Sequence, residues 1–405
     1  MALTDETIRH LLKKISTDPI NRFVFASKGE REVYLVGGYV RDVLLERIGF
    51  DRDYVVAGSL DAFLRTIASH MGGKIIRIGR YGLCRIVLRD GKTLDFSPLS
   101  GSIEEDVLAR DFTINALAWS PKSGLLDYVG GLHDMAAGLI GAVNPENIAR
   151  DPVRILRAYR LSCDLDFDIK EDTAYTLRRF GRLLKDEKSE RITLEVCKIF
   201  NAPEPIRTLT TMARDNILGA IIYLNNRELS DHIKVLSRFV TLLDALPEKY
   251  NLRLDETFSQ NLTRRGLLCI VHFLGGGAEH GLTLSSRIMD RIHKIEAGLG
   301  IHNKRGRISR HKLFELFECL GDAAEDFLIV RGLIRYLPEY TRYRRVMEKP
   351  SMSGEELLRY TGLMPGPALG SLIRALRRGQ YLHDRWTRAN TRRLIGKLRL
   401  GSYLT

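Results

Sequence analysis

The chain of 405 residues has little cysteine. Cys84, Cys163, Cys197, Cys269 and Cys319 form neither close pairs nor Cys/His clusters of zinc spacing. That argues against a disulfide scaffold and a structural zinc, and the thiols are expected as reduced core residues of a cytoplasmic protein. Long apolar runs are also missing, and charged residues interrupt every apolar stretch near the N-terminus, so neither a membrane span nor a signal peptide is expected. No low-complexity segment or fixed-period repeat occurs. With 44% hydrophobic residues the chain is globular but too long for one ordinary core, and roughly two to four packed units are expected.

Positive charge is abundant and unevenly placed. The net charge is +13, of which residues 301 to 405 carry +11. Residues 371 to 400 alone hold +8, through Arg374, Arg377, Arg378, Arg385, Arg388, Arg392, Arg393, Lys397 and Arg399 against Asp384. Such a field attracts nucleic acid through its phosphates, without reading sequence and with strong salt dependence. The alternative is an ordinary arginine-rich solvated helix face.

The first 140 residues alternate β-type runs (Val33 to Val36, Tyr54 to Ala57, Lys74 to Ile78, Cys84 to Leu88, Thr93 to Phe96) with helical patterns (Thr4 to Ile15, Asp61 to Met71, Ile114 to Trp119). This is an α+β unit. Arg89-Asp90-Gly91-Lys92 reads as a hairpin turn, because Asp-Gly supplies positive φ. From Pro152 onward the pattern is almost wholly helical, with breaks at Pro203, Pro205, Pro247, Gly275 to Gly277 and Pro338.

Chemistry concentrates in a few segments. Gly37-Gly38-Tyr39-Val40-Arg41-Asp42 follows a β-type run, so the glycine pair can bring bare backbone N–H groups against an anion. A helix begins near Val40, with Arg41 in its first turn to add charge for a triphosphate. Asp51 and Asp53, at i and i+2 before a strand, leave the same face and can reach one metal centre. Two carboxylates with water and phosphate oxygens suit Mg²⁺, and two such ions can serve an in-line displacement at phosphorus. Either fragment alone is equally a plain bend or a solvated turn; joined in this order they point to phosphoryl chemistry. Asp95 is a third carboxylate beside the pair or a polar strand-end residue.

Further along, Arg110-Asp111-Phe112-Thr113-Ile114-Asn115 places an Arg, a carboxylate and an amide within two helical turns, enough for phosphate and a ribose hydroxyl, unless Asp111 is only an N-cap. Asp127 to Asp134 contains Gly130-Gly131, suited to a hinge or a simple loop. Asp151-Pro152 reads as a helix start, after which Arg154, Arg157 and Arg160 form a positive ridge; an Asp beside an Arg fork can match the edge of a base, and a cap with surface arginines would explain the same letters. Ser189-Glu190-Arg191-Ile192-Thr193-Leu194-Glu195 reads as another capped helix start, useful for bracing.

In order, these segments resemble the motifs of the class II tRNA nucleotidyltransferases and the bacterial poly(A) polymerases of the same family, over about Tyr34 to Phe200. Gly-Gly-x-Val-Arg-Asp and Asp-x-Asp are intact, the second motif is one residue shorter, and the hinge, template and final motifs align at Asp127 to Asp134, Arg150 to Arg154 and Ser189 to Glu195. The resemblance implies a polymerase-β-like nucleotidyltransferase head (1–140), then an all-helical neck with the nucleotide template (141–205), a body (206–340) and a basic tRNA-binding tail (341–405). It implies that Gly37, Gly38 and Arg41 hold the triphosphate of CTP or ATP and that Asp51 and Asp53 carry two Mg²⁺ ions. Arg110, Asp111 and Asn115 then contact the ribose side, Asp151 and Arg154 read the base with Arg157 and Arg160 in support, and the tail arginines contact tRNA.

Three departures stand out. Ala109 occupies the place of a second arginine, Arg150 replaces the template's leading Glu, and only Ser97 to Ile103 separates Phe96 from Glu104, where CCA-completing enzymes of the family carry a longer flexible segment. The short segment resembles the CC-adding branch. Full CCA addition, a poly(A) polymerase that would share every catalytic residue, and an RNA-binding protein without catalysis are the alternatives.

Overall fold

The computed structural model describes residues 4–79, 82–202, 204–259, 262–275, 279–301 and 307–400; Pro203, Gly276 and Gly277, three of the expected breaks, lie outside them. The described residues fall into two compact units, one formed mainly by residues up to Lys234 and one mainly by residues from Val235.

The first unit opens with α1 (Asp5–Thr17), capped by Thr4, and α2 (Pro19–Ala26), capped by Asp18. Then follow β1 (Val33–Val36), α3 (Gly38–Leu44), β2 (Arg52–Val56), α4 (Asp61–Met71), β3 (Lys74–Ile78), β4 (Leu83–Val87) and β5 (Thr93–Pro98). After them come α5 (Ile103–Leu108), β6 (Leu117–Ser120), β7 (Gly124–Asp127) and α6 (Gly131–Ala137). The strands form one sheet in the order β3-β4-β5-β2-β1-β6-β7, with β2 and β5 parallel and the other neighbours antiparallel. All five β-type runs of the sequence are strands here, and Gly91 takes the positive φ of 84° that the β4–β5 turn requires.

β2 shows how the sequence divides the two faces. Its even residues point into an aromatic core: Tyr54 stacks on Phe96 at 5.0 Å, and its buried hydroxyl donates to Asn21 Oδ1 at 2.6 Å. On the other face Val55 packs with Val36, Ile103, Val107, Ala116 and Ala118 under α5. Asp53 and Asp51 continue that second face towards the strand's start.

One expectation fails here. Ile114 to Trp119 is not a helix but the end of a 3₁₀ turn (Thr113–Asn115) running into β6. A short apolar run carries no reliable period, and Leu117 to Ser120 are buried throughout because β6 lies between β1 and β7.

Next come β8 (Leu139–Ile140), α7 (Pro145–Arg150), α8 (Val153–Leu165), β9 (Asp168–Ile169), α9 (Glu171–Phe180), α10 (Ser189–Asn201) and α11 (Pro205–Arg214), with β8 and β9 paired in parallel. Asp151 follows α7 and does not cap α8, and Ser189 is the first residue of α10, whose start has no side-chain cap.

The second unit is helical apart from short strand segments. Its segments Ala324–Val330 and Arg264–Leu274 share a buried charge network, in which Arg264 meets Asp326 at 2.6 Å and Glu325 at 2.9 Å. Pro338 sits in the first turn of Leu337–Glu348 and so opens a helix instead of breaking one. Helices Gly354–Thr361, Pro367–Leu382 and Arg388–Leu400 enclose an apolar cluster of Met352, Leu357, Leu369, Leu372, Leu376 and Ile395. Among the cysteines, Cys84, Cys197 and Cys269 are buried, Cys163 is half-buried and Cys319 is exposed, so the last is not the core residue expected.

Candidate active site

A cleft of about 670 Å³ in the first unit is lined by Gly37, Gly38, Arg41, Asp51, Asp53, Arg110, Asp111, Asn115, Arg154, Arg157 and Arg160. Eleven of the twelve catalytic and nucleotide-binding candidates of that unit thus share one cavity; Asp151 is not among its lining residues. Residues 74 positions apart in sequence meet there.

α3 begins at Gly38, two residues earlier than the sequence suggests, and Gly37 precedes it with φ 76°. A Cβ on Gly37 would stand 3.4 Å from Asp53 Oδ2 and 3.2 Å from Arg110 Nη1, so the bare glycine lets both side chains close on the backbone. Arg41 is half-committed already: Nε and Nη2 donate to Asp42 Oδ1, and Nη1 donates to Asn115 Oδ1 at 2.6 Å.

Asp51 and Asp53 leave the same face of the β2 segment, and the neighbouring strand supports both. Thr93 Oγ1 donates to Asp51 Oδ1 at 3.0 Å. Asp53 lies in register with Asp95 on β5, and Asp95 is held by Arg85 of β4 through two contacts of 2.7 Å. Asp95 thus neighbours Asp53 across the sheet, with its charge already matched by an arginine, and is not among the lining residues of the cleft. Burial, then the charge of Asp95, pushes the Asp53 carboxyl up to about 6, with Arg110 opposing and Asp51 adding to the rise. Carboxylate charge in excess of local compensation fits a divalent cation. Among the described residues no group of three or more His, Cys, Asp or Glu is placed to hold a metal. Two hard oxygen donors fit an ion such as Mg²⁺ that retains water and phosphate ligands.

Asp111 is buried, not an N-cap of a helix. Its Oδ1 accepts from the Phe112 N–H at 2.8 Å and from Asn115 Nδ2 at 3.3 Å, while Arg157 Nη2 lies 3.2 Å from Oδ2 without the alignment of a hydrogen bond. Burial alone would raise its pKa, but Arg157, these donors and Arg154 hold the carboxyl below its usual range. Arg110 pairs with Asp106 one turn earlier at 2.7 Å.

From α8, Arg154 Nη1 donates at 3.0 Å to the carbonyl of Ala109, the residue that stands in place of the second arginine. Arg160 is anchored by Glu195 at 2.7 Å and Asp164 at 2.9 Å, which gives the α10 motif the bracing role expected of it. Asp151 takes Arg191 Nη2 on both oxygens at 2.9 Å, with Arg154 Nε at 3.6 Å. Arg191 had no chemical role in the sequence, since only the fold brings it across 40 residues. Arg52, the middle residue of Asp-x-Asp, was likewise not singled out: it is buried, stacks on Tyr39 at 4.5 Å and meets Asp18 at 2.9 Å. Gly130-Gly131 is a tied turn, because Asp127 accepts the N–H groups of Val129, Gly131 and Leu132.

In the second unit the basic helices are partly neutralised. Arg374 pairs with Glu318, Arg378 with Glu315 and Arg388 with Glu356. Arg377 is half-buried, and Arg385, Arg392 and Arg393 are exposed.

Comparison with known proteins gives this cleft a context. A family model described as "Poly A polymerase head domain" matches residues 65–141, and one described as "Probable RNA and SrmB- binding site of polymerase A" matches 166–223. A CC-adding tRNA nucleotidyltransferase of Geobacter sulfurreducens is 30% identical over 96% of this chain and 98% of its own length. Another, of Thermus thermophilus, is 29% identical over 86% of this chain and 90% of its own. The fold is similar to that of the Thermotoga maritima CCA-adding enzyme complexed with tRNA, with a TM-score of 0.66 and 22% identity over 96% of this chain and 98% of that one. Similarity that extends from end to end of a relative at 30% identity, with the motif residues gathered in one cleft, places the chain in the enzyme family of tRNA nucleotidyltransferases and bacterial poly(A) polymerases.

Proposed function

We propose that the protein is a template-independent nucleotidyltransferase that adds C residues to the 3′ end of tRNA from CTP, releasing pyrophosphate, and that it belongs to the CC-adding branch. Its division into head (1–140), neck (141–205), body (206–340) and tail (341–405), and its cytoplasmic location, are part of the same reading. The observation that carries it is the pairing of Asp51 and Asp53 with the Gly37-Gly38-Arg41 corner in one cleft.

In this assignment Gly37, Gly38 and Arg41 receive the triphosphate, with Asn115 orienting the Arg41 guanidinium. Asp111, with its poorly engaged Oδ2 at the cleft, takes a ribose hydroxyl beside Arg110. Asp151 and Arg154 read the base, Arg191 fixes the first of them, and Arg157 and Arg160 keep the ridge in place. Asp51 and Asp53 would hold two Mg²⁺ ions, which supply Lewis-acid stabilisation of charge as the tRNA 3′-hydroxyl attacks the α-phosphate and pyrophosphate leaves. No side-chain nucleophile is needed. Arg385, Arg392 and Arg393 are exposed and outside the ion pairs that hold Arg374, Arg378 and Arg388, and together with Arg377 these residues make the field through which tRNA phosphates are held.

Support for CC over CCA addition comes from the β5–α5 connection. Only Leu99 to Ser102 intervene, and Ser102 and Glu105 close a reciprocal capping box that fixes the start of α5. Three relatives that match 84–96% of this chain are named CC-adding, which supports the reading, although two that match 85% of it at 26% identity are named CCA-adding. Full CCA addition is the second reading, with ATP as the further substrate. The test is incubation with tRNAs ending before the first C, after CC, and after CCA, with CTP and ATP offered separately. Two C additions to the first, and no ATP use on the second, are expected. A terminal A added after CC would transfer the protein to the CCA branch, and long A tails on any RNA would make it a poly(A) polymerase.

A further inference from the structure

Ile48 and Phe50 are 83% and 54% exposed, and among the exposed large apolar side chains of the described residues they are the two that line the catalytic cleft. The backbone that carries them is anchored. A Cβ on the intervening Gly49 would stand 3.3 Å from Asp42 Cβ and 3.5 Å from Tyr39, so this turn lies directly against α3. The Phe50 carbonyl accepts from Arg52 Nη1 at 3.0 Å, and Arg52 is locked on Tyr39 and Asp18. Over one side of the ring, Lys92 Nζ lies 5.8 Å from its centroid, paired with Asp90 at 2.7 Å. The next residue in the chain is Asp51.

Two parties must meet at the Asp51–Asp53 pair: the incoming nucleotide and the RNA end that attacks it. The glycine corner, Asp111 and the Asp151–Arg154 fork account for the phosphates, ribose and base of the first, and none of these residues offers a flat apolar face. An attacking 3′-hydroxyl delivered to Asp51 brings its own base within one nucleoside of that residue. An exposed ring on an anchored backbone, with a cation near it, suits a nucleobase and its phosphate, and stacking accepts any base, as an end that changes with each addition requires.

We infer that Phe50, backed by Ile48, is the stacking platform for the terminal base of the RNA acceptor, with Lys92 beside the last phosphate. This rests on the nucleotidyltransferase reading above. The platform orients the 3′ end and does not touch the incoming nucleotide.

The test is a chemical double-mutant cycle on wild type, Phe50→Ala and Phe50→Trp, using tRNA that lacks CCA and the same tRNA with an abasic 3′-terminal nucleotide. Phe50→Ala is expected to lower kcat/KM for the intact end about tenfold, with the KM for CTP within about twofold of wild type, and Phe50→Trp is expected to restore it. The abasic end should cost wild type about as much and Phe50→Ala nothing further. Fully additive losses, or a rise in the KM for CTP in place of that for RNA, would overturn the platform while leaving the enzyme's assignment intact. Wild-type protein that extends no RNA at all refutes the nucleotidyltransferase reading and this inference with it.

Discussion

Asp53→Asn should extend tRNA about a thousandfold more slowly than wild type while folding at least as well. The first half follows from the loss of one of the two carboxylates proposed to hold metal, since metal stabilisation of transition-state charge is worth several kcal/mol and each 1.4 kcal/mol is about tenfold in rate. The second half follows from the local charge. Burial together with Asp95 and Asp51 lifts the Asp53 carboxyl from its ordinary value to about 6, so the folded chain holds that proton more tightly than the unfolded chain does. Ionising it therefore costs native stability as pH rises through the window from the ordinary value to about 6, and the cost persists above it. Asparagine never ionises. In EDTA at pH 8 the melting temperature of Asp53→Asn should match or exceed that of wild type, and the advantage should vanish at acid pH below the ordinary carboxylate range. Calorimetry and single-turnover extension on the same preparations check both halves, and a variant that is inactive because it is unfolded would contradict the scheme.

The second large effect lies outside the lining residues. Gly131→Val should destabilise the first unit by about 3 kcal/mol, because a Cβ there would stand only 2.3 Å from the Thr113 carbonyl oxygen and 3.2 Å from Leu117 Cδ2. For a unit of this size that corresponds to a fall in Tm of roughly 6–12 °C. The clash falls on the turn that carries Asn115, the acceptor that orients Arg41, so CTP affinity should fall with stability. Its neighbour provides the control. Gly130 has φ 76° and open space around its missing Cβ, a conformation that Asn tolerates, so Gly130→Asn should cost under about 1 kcal/mol. Equal losses at the two positions would show that the pair acts as a flexible loop and not as a close contact.

The contrast between these glycines also shows where the sequence is informative. Gly37-Gly38-x-x-Arg41 and Asp51-x-Asp53 are local patterns whose side chains must face one way once the strand forms, so their convergence on one cleft could be read directly. The strands flanking them were legible for the same reason. Ile114 to Trp119 was not, because a buried central strand has no polar alternation to distinguish it from a helix turn. Long-range ion pairs leave no local pattern either: Arg191 to Asp151, Arg85 to Asp95, and the pairing of Arg374, Arg378 and Arg388 with glutamates. That last set reduces the free charge of the tail below what a count of arginines suggests. Asp151 was read as a cap from Asp-Pro, yet the preceding helix ends there and its carboxylate is taken by Arg191. Each difference has the same origin, a partner supplied by tertiary structure.

In the proposed mechanism Asp51 and Asp53 bind divalent metal beside a triphosphate held at Gly37, Gly38 and Arg41. Crystals grown with CTP and Mn²⁺ test it through the anomalous signal of the metal. Manganese is expected to be coordinated by both aspartates and by oxygens of the triphosphate, in the cleft that also contains Asp111 and Arg154. Manganese held elsewhere, or CTP seated away from the glycine corner, would contradict it.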